Sequence, residues 1–199
     1  MRILAVLAHP HKESHNGTLF SASVQHLQAR GHEVDVLDLY EHADKIPFYP
    51  KQLPGQHIDQ ALAHAPFYQE NKARFMAADR LLVVYPVWWY SVPGILKCWL
   101  DIITNYAWSF KDRSWRHGFN AHPLHKITKV LVVNTGGLSW WHQIFGPRNL
   151  AIKTLRASCA FMGIKAFKAH TLYSTRKLTP EQFNKHLQAV LKKCDWLAS

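Results

Sequence analysis

Three short stretches of the chain hold residue types from which a ligand site can be built, and each follows an apolar run. Trp88, Trp89 and Tyr90 come directly after Leu81–Val87 and present three aromatic faces in succession. Side chains of this kind offer flat surface on which a planar, conjugated ligand stacks; the alternatives are a hydrophobic plug or a subunit interface. Ser14, His15 and Asn16 stand where a helix begins, so hydroxyl, amide and free backbone N–H groups can converge on a phosphate with help from the helix dipole. The same residues also serve simply as helix caps. Thr135-Gly136-Gly137 lets backbone approach a ligand closely, because glycine has no Cβ to hold it away, though an ordinary tight turn uses the pair equally well. His142 follows that turn, and an imidazole titrating near neutrality can donate a proton or stabilise an anion. With 14 histidines in the chain, a plain surface role is its alternative.

Other chemistries lack their residues. There is no Gly-x-Gly-x-x-Gly, no Gly-Lys of a phosphate-binding loop, no Gly-x-Ser-x-Gly and no Cys-x-x-Cys. His9 and His11 flank Pro10, a weak arrangement for a metal, and no metal site is expected. The three cysteines, Cys98, Cys159 and Cys194, are odd in number and widely spaced, as in a reduced cytoplasmic protein.

Composition bounds the architecture that must position these groups. At 199 residues and 48% hydrophobic content, the chain can bury one sizeable core, so a single domain over residues 1–199 is expected. No charge-free apolar run approaches the length of a membrane span. The opening MRILAVLAHP is too short in its apolar part for a secretory signal and turns polar at once, so a buried strand is expected there. A formal charge of +11 favours phosphate-bearing ligands. The lysines and arginines are scattered rather than clustered, which argues against nucleic acid.

Periodicity and punctuation give the elements. Strands are expected at Arg2–Ala8, Glu33–Asp38, Arg80–Tyr85, Lys129–Asn134 and Lys165–Leu172. Helices are expected from Asn16 or Thr18 to Arg30, at Phe67–Ala78, Gly94–Thr104 and Leu150–Met162, and from Thr179 to about Trp196. The last has Thr179, Pro180 and Gln182 spaced as a capping box. Pro47, Pro50, Pro54 and Gly55 make Leu39–Gln56 a loop. Alternating strands and helices, with strands apolar on both faces, predict an α/β three-layer sandwich with right-handed crossovers. Strand order 2-1-3-4-5 would bring the turns after Ala8, Tyr85 and Asn134 together at the carboxyl ends of the strands.

These features in combination resemble a family. LAHP near the start, Ser14-His15-Asn16, the stretch Pro86–Lys97 and Thr135-Gly136-Gly137 are similar to the flavodoxin-like NAD(P)H:quinone oxidoreductases. The likeness covers nearly the whole chain, and the short bacterial members are the nearest in length. The resemblance implies a flavin, FMN ahead of FAD, with NAD(P)H as co-substrate and a quinone or another small aromatic acceptor. By position it assigns His9, Ser14, His15 and Asn16 to the flavin phosphate. Pro86, Val87, Trp88, Trp89 and Tyr90, with Thr135, Gly136 and Gly137, are assigned to the ring. Trp108, Phe110 and Phe161 correspond to substrate-lining aromatics, often shared across a homodimer. Trp89 and His142 are the residues assigned to catalysis. Trp88 departs from the mammalian members, which carry Gln there.

The chemistry implied is a two-electron transfer in two half-reactions, with the amides of Gly136 and Gly137 facing the ring edge where charge develops. A second expectation is a flavin-binding regulatory subunit of a membrane potassium-efflux transporter. A one-electron carrier is disfavoured, since such carriers are usually acidic and lack a bulky aromatic shelf.

Overall fold

The computed structural model describes residues 1–46, 48, 58–103, 124–139, 141 and 149–199. Five strands, β1 (Arg2–Leu7), β2 (Glu33–Asp38), β3 (Arg80–Pro86), β4 (Lys129–Thr135) and β5 (Ala166–Leu172), form one sheet in the order β2-β1-β3-β4-β5. All four ladders are parallel, with Ile3 beside both Val34 and Arg80, and Val83 beside Val132. The expected α/β three-layer sandwich with order 2-1-3-4-5 is therefore the one observed.

Alternation along the strands builds two cores. Leu4, Val6, Leu81, Val83, Tyr85, Val130 and Val132 face one side, where α2 (Pro66–Ala77), α3 (Gly94–Ile103) and α4 (Leu150–Phe161) pack. Ile3, Ala5, Leu7, Leu82, Val84, Leu131 and Val133 face the other, against α1 (His15–Ala29) and α5 (Pro180–Ala198). Each such Val, Leu or Ile taken from water contributes about 1.5–3 kcal/mol, so nearly every position of the three central strands stabilises the sandwich. A buried polar pair joins two of these helices: Trp99 Nε1 donates to Asn71 Oδ1 at 3.1 Å, and Asn71 Nδ2 to the Phe67 carbonyl at 2.9 Å.

Helix termini follow the sequence closely. Ser14 caps α1 by accepting from the Gly17 N–H, and Thr179 and Gln182 form the expected capping box on α5. The side of the sandwich built from α1 and α5 is pinned by Asp195, which meets His26 at 2.8 Å and Arg30 at 2.9 Å. Several boundaries shift by a residue from expectation, and two differences have clear reasons. β3 runs on to Pro86, because this last position needs no N–H for the ladder; Val87 N–H donates to the Thr135 carbonyl at 2.7 Å instead. The expected loop after Asp38 begins with a 3-10 turn, Leu39–His42, because the Asp38 carboxylate accepts from the Tyr40 N–H at 3.0 Å.

Candidate functional site

Parallel strands deliver their carboxyl ends to one edge of the sheet, and four loops meet there. The loop from Ala8 to Ser14 is held by local bonds: Ser14 Oγ donates to the His11 carbonyl at 2.7 Å, and His9 Nδ1 accepts from the His11 N–H at 3.0 Å. Burial pushes the His9 ring below its usual pKa. Gly17 lets this loop close over the first turn of α1, since a Cβ there would overlap the Lys12 carbonyl well inside van der Waals contact. Lys12 reaches Glu41 rather than the helix end.

Asn16 is the link between loops. It is 1% exposed, and its Nδ2 donates to Thr135 Oγ1 at 2.8 Å, joining α1 to the end of β4. Its Oδ1 is buried and has no partner among the described residues. An unpaired buried acceptor costs about 1–3 kcal/mol, which a ligand donor would recover. Below this layer, Asn134 Nδ2 donates to Tyr85 Oη at 3.2 Å, and burial raises the Tyr85 pKa, so the phenol stays protonated.

The aromatic stretch is a two-residue hairpin. Trp88 and Ser91 exchange backbone bonds of 3.1 and 3.0 Å, and both residues between them lie in the left-handed region, Trp89 at φ 49° and Tyr90 at φ 62°. This is the pattern of a type I′ turn, normally filled by Asn and Gly. Placing a tryptophan and a tyrosine there costs about 1–2 kcal/mol each. The turn holds Trp89 almost wholly in solvent, at 96% exposure, with Trp88 and Tyr90 near 42% and 40%.

Opposite this hairpin lies the turn after β4, carried on the start of the β5 loop. The Gly136 N–H donates to the Leu172 carbonyl at 2.8 Å, the Thr175 N–H to the Gly136 carbonyl at 3.2 Å, and the Ser174 N–H to the Leu138 carbonyl at 3.1 Å. The expectation that both glycine amides face a ligand edge is thus corrected: that of Gly136 is consumed by the sheet. The Gly137 N–H has no partner among the described residues. Between the two walls is a cleft of about 490 Å3, lined by Val87, Trp89, Tyr90, Gly136, Gly137, Leu138 and Arg176. That volume lies within the usual span for small-molecule sites.

The sequence-derived residues divide accordingly. Val87, Trp89, Tyr90, Gly136 and Gly137 line the cleft. His9, Ser14, Asn16, Pro86, Trp88 and Thr135 lie in the loops and strand ends around it. His15 stacks on Phe183 of α5, with ring centres 4.8 Å apart, and so braces the helix pair. Phe161 does not join them. It ends α4 next to Met162, whose carbonyl meets His125 Nε2 at 3.1 Å ahead of β4, and therefore sits at the amino-terminal edge of the sheet. A crossover helix runs antiparallel to the strands, so its last residue faces away from their carboxyl ends. Trp108, Phe110 and His142 lie outside the described residues.

Two contributors were missed. Arg176 lines the cleft from the segment after β5, a strand-end loop of the same kind as the other three; the rule that placed those would have placed it too. Gly17 carried its own signal, a glycine inside the first turn of a helix, where only a close approach justifies it.

Comparison with known proteins agrees with this geometry. The chain is 29% identical over 172 residues to the ribosyldihydronicotinamide dehydrogenase-like protein traD of Penicillium crustosum, covering 76% of this chain and 62% of that protein. It thus spans less than two thirds of that relative. It is 25% identical over 198 residues to NAD(P)H dehydrogenase (quinone) 1 of Cavia porcellus, covering 90% of this chain and 71% of that protein. In structure it superposes with a TM-score of 0.77 on an FMN-dependent NADH-azoreductase from Bacillus anthracis in complex with FMN, at 19% identity and covering 100% of both chains. The parallel sheet, its strand order and the loops gathered at its carboxyl edge have one family counterpart: the model described as Flavodoxin-like fold matches residues 1–195, and the chain belongs to that family.

Proposed function

We propose that this chain is a flavin-dependent NAD(P)H:quinone oxidoreductase. The observation that carries the reading is the strand-end cleft with the exposed Trp89 on one wall and the glycine turn on the other. Relatives named for nicotinamide dehydrogenase and quinone reduction, and a fold neighbour bound to FMN, support it.

When bound, a flavin supplies the chemistry of accepting a hydride from NAD(P)H and returning two electrons to a quinone or another aromatic acceptor. The residues present fit such a group. Free N–H groups at the start of α1, beside Ser14, suit its phosphate. The orphaned Asn16 Oδ1 accepts from a hydroxyl, and the Gly137 N–H from the β4 turn donates to a polar ring edge. Val87 and Tyr90 would give the ring apolar contact, and Trp89 would offer its face to the second planar partner. His142, Trp108 and Phe110 complete our reading as a proton donor and substrate walls. FMN is favoured over FAD on the strength of the FMN-bearing neighbour.

A homodimer, with a second copy completing the exposed aromatic wall, belongs to the same reading, as does a cytoplasmic location. Among the described residues no helix is long and apolar enough to cross a membrane. The transporter-subunit expectation finds no support in the relatives named above.

The test is direct. Purified protein should be yellow, release FMN on denaturation, and oxidise NADH or NADPH when given menadione. Protein that stays colourless after incubation with FMN and FAD, and oxidises neither nucleotide, defeats the proposal.

A further inference from the structure

We propose that Arg176 makes this cleft selective for planar acceptors that carry a carboxylate or sulfonate on the ring edge. The inference rests on the quinone-reductase reading and deepens it. Of the described residues lining the cleft, Arg176 is the charged one, and no acidic side chain among them accompanies it. Among the described residues it makes no ion pair or hydrogen bond, so none of them compensates its positive charge.

Its placement is fixed by backbone. Ser174 takes the left-handed conformation at φ 52°, and its N–H bonds the Leu138 carbonyl at 3.1 Å. The Thr175 N–H bonds the Gly136 carbonyl at 3.2 Å, and Lys177 closes the turn on Ser174 at 2.8 Å. The loop therefore moves with the β4 turn as one wall, facing Trp89 across the cleft. A flat molecule stacked on Trp89 presents its edge to the guanidinium, whose fork matches the paired oxygens of a carboxylate or sulfonate.

The phosphate of a bound flavin is not the partner of this group. The loop holding the start of α1 follows β1, and three strand spacings separate β1 from β5 in the order β1-β3-β4-β5. At about 4.8 Å per spacing, the axes of β1 and β5 lie on the order of 14 Å apart, so the loop carrying Arg176 leaves the sheet well away from that helix end. Besides the acceptor, the remaining anion sources are a phosphate of the nicotinamide dinucleotide and the ring edge of a reduced flavin; a role toward the ring would change both acceptors alike, so kinetics separates the acceptor from both.

Flavin-loaded wild type, Arg176→Ala, Arg176→Lys and Arg176→Glu should be assayed with naphthoquinone sulfonate and with uncharged menadione, each against NADH and NADPH. The ratio of kcat/KM for the sulfonate to that for menadione should fall about five- to tenfold in Arg176→Ala and further in Arg176→Glu. Arg176→Lys should restore part of it, and about 0.5 M salt should compress the wild-type preference. Calorimetric titration of the oxidised protein with the sulfonate should show the same order without turnover. A ratio insensitive to residue 176, or an effect confined to KM for NADPH, overturns the assignment while leaving the activity in place. A wild type that reduces neither acceptor, yet binds the sulfonate in an Arg176-dependent way, overturns the activity and keeps the anion site.

Discussion

The side-chain amide of Asn16 and the hydroxyl of Thr135 lie 2.8 Å apart, Nδ2 donating to Oγ1, although 119 positions separate them in the chain. The bond ties the first turn of α1 to the last residue of β4, and with it the phosphate end of the proposed site to the ring end. Thr135→Val keeps the shape and removes the acceptor, leaving the buried amide unpaired on both atoms. A loss of about 1–3 kcal/mol is expected in urea unfolding, with a lower flavin content at equal protein. Unchanged stability would mean that the amide finds water instead.

Stability and acceptor affinity should respond differently to a single substitution at Trp89. Trp89→Gly relieves a left-handed backbone that costs about 1–2 kcal/mol, against which the freer unfolded chain sets up to about 1 kcal/mol. Stability should hold or rise slightly. Affinity for a planar acceptor should drop roughly tenfold as the stacking face disappears. Paired measurements of unfolding midpoint and acceptor KM check both halves, and an unchanged KM would remove Trp89 from the site.

Gly17→Ala should be among the most damaging changes outside the core. The added methyl meets the Lys12 backbone, which has no rotamer to escape by, so the loop from His9 to Ser14 must move. A loss of about 3 kcal/mol or more is expected, together with impaired flavin retention. Differential calorimetry and released-flavin analysis read the two effects. A variant matching wild type in both would show that the loop relocates freely.

Acid should weaken the fold through a basic cluster shared by β5 and α5. His170 Nε2 lies 3.0 Å from His186 Nδ1, and His170 Nδ1 lies 2.9 Å from Lys193 Nζ. Burial, then the charges of Lys193 and His186, push the His170 pKa from 6.5 down to about 4. Lys168, facing Lys193, adds to the same field, and both His186 and Lys193 are lowered as well. The unfolded chain takes up a proton here that the folded chain refuses, so this stability is full above pH 6.5 and is lost as the pH falls toward 4. Allowing for partial exposure, the loss is roughly 1–2 kcal/mol. Urea midpoints of wild type and His170→Gln over that window should converge on acidification; parallel curves would place the acid sensitivity elsewhere.

The fold was legible because its signals are local and repeated. Strands such as Leu81–Tyr85 and Val130–Val133 are apolar at every position, which only a two-sided sheet requires, and the Thr179–Gln182 capping box marks α5 to the residue. The aromatic wall and glycine turn were legible for the same reason. What escaped depends on tertiary pairing. Nothing local in Gly136 says that its amide is spent on Leu172, because that bond exists only once β5 lies beside β4. Phe161 matches a pocket aromatic by alignment, yet the direction of the crossover helix carries it to the other edge. Arg176 was overlooked because a charged residue in a short turn looks like any solvated surface position until the opposite wall is in place.

The clamp of Ser174 and Thr175 onto the β4 turn has a consequence for how the protein matures. One wall of the cleft is delivered by the last strand of the sheet, so a growing polypeptide has no finished pocket until β5 and the turn after it have left the ribosome. Cofactor capture is then a step that follows the emergence of β5, and flavin starvation should leave folded, fillable apoprotein rather than arrested nascent chains.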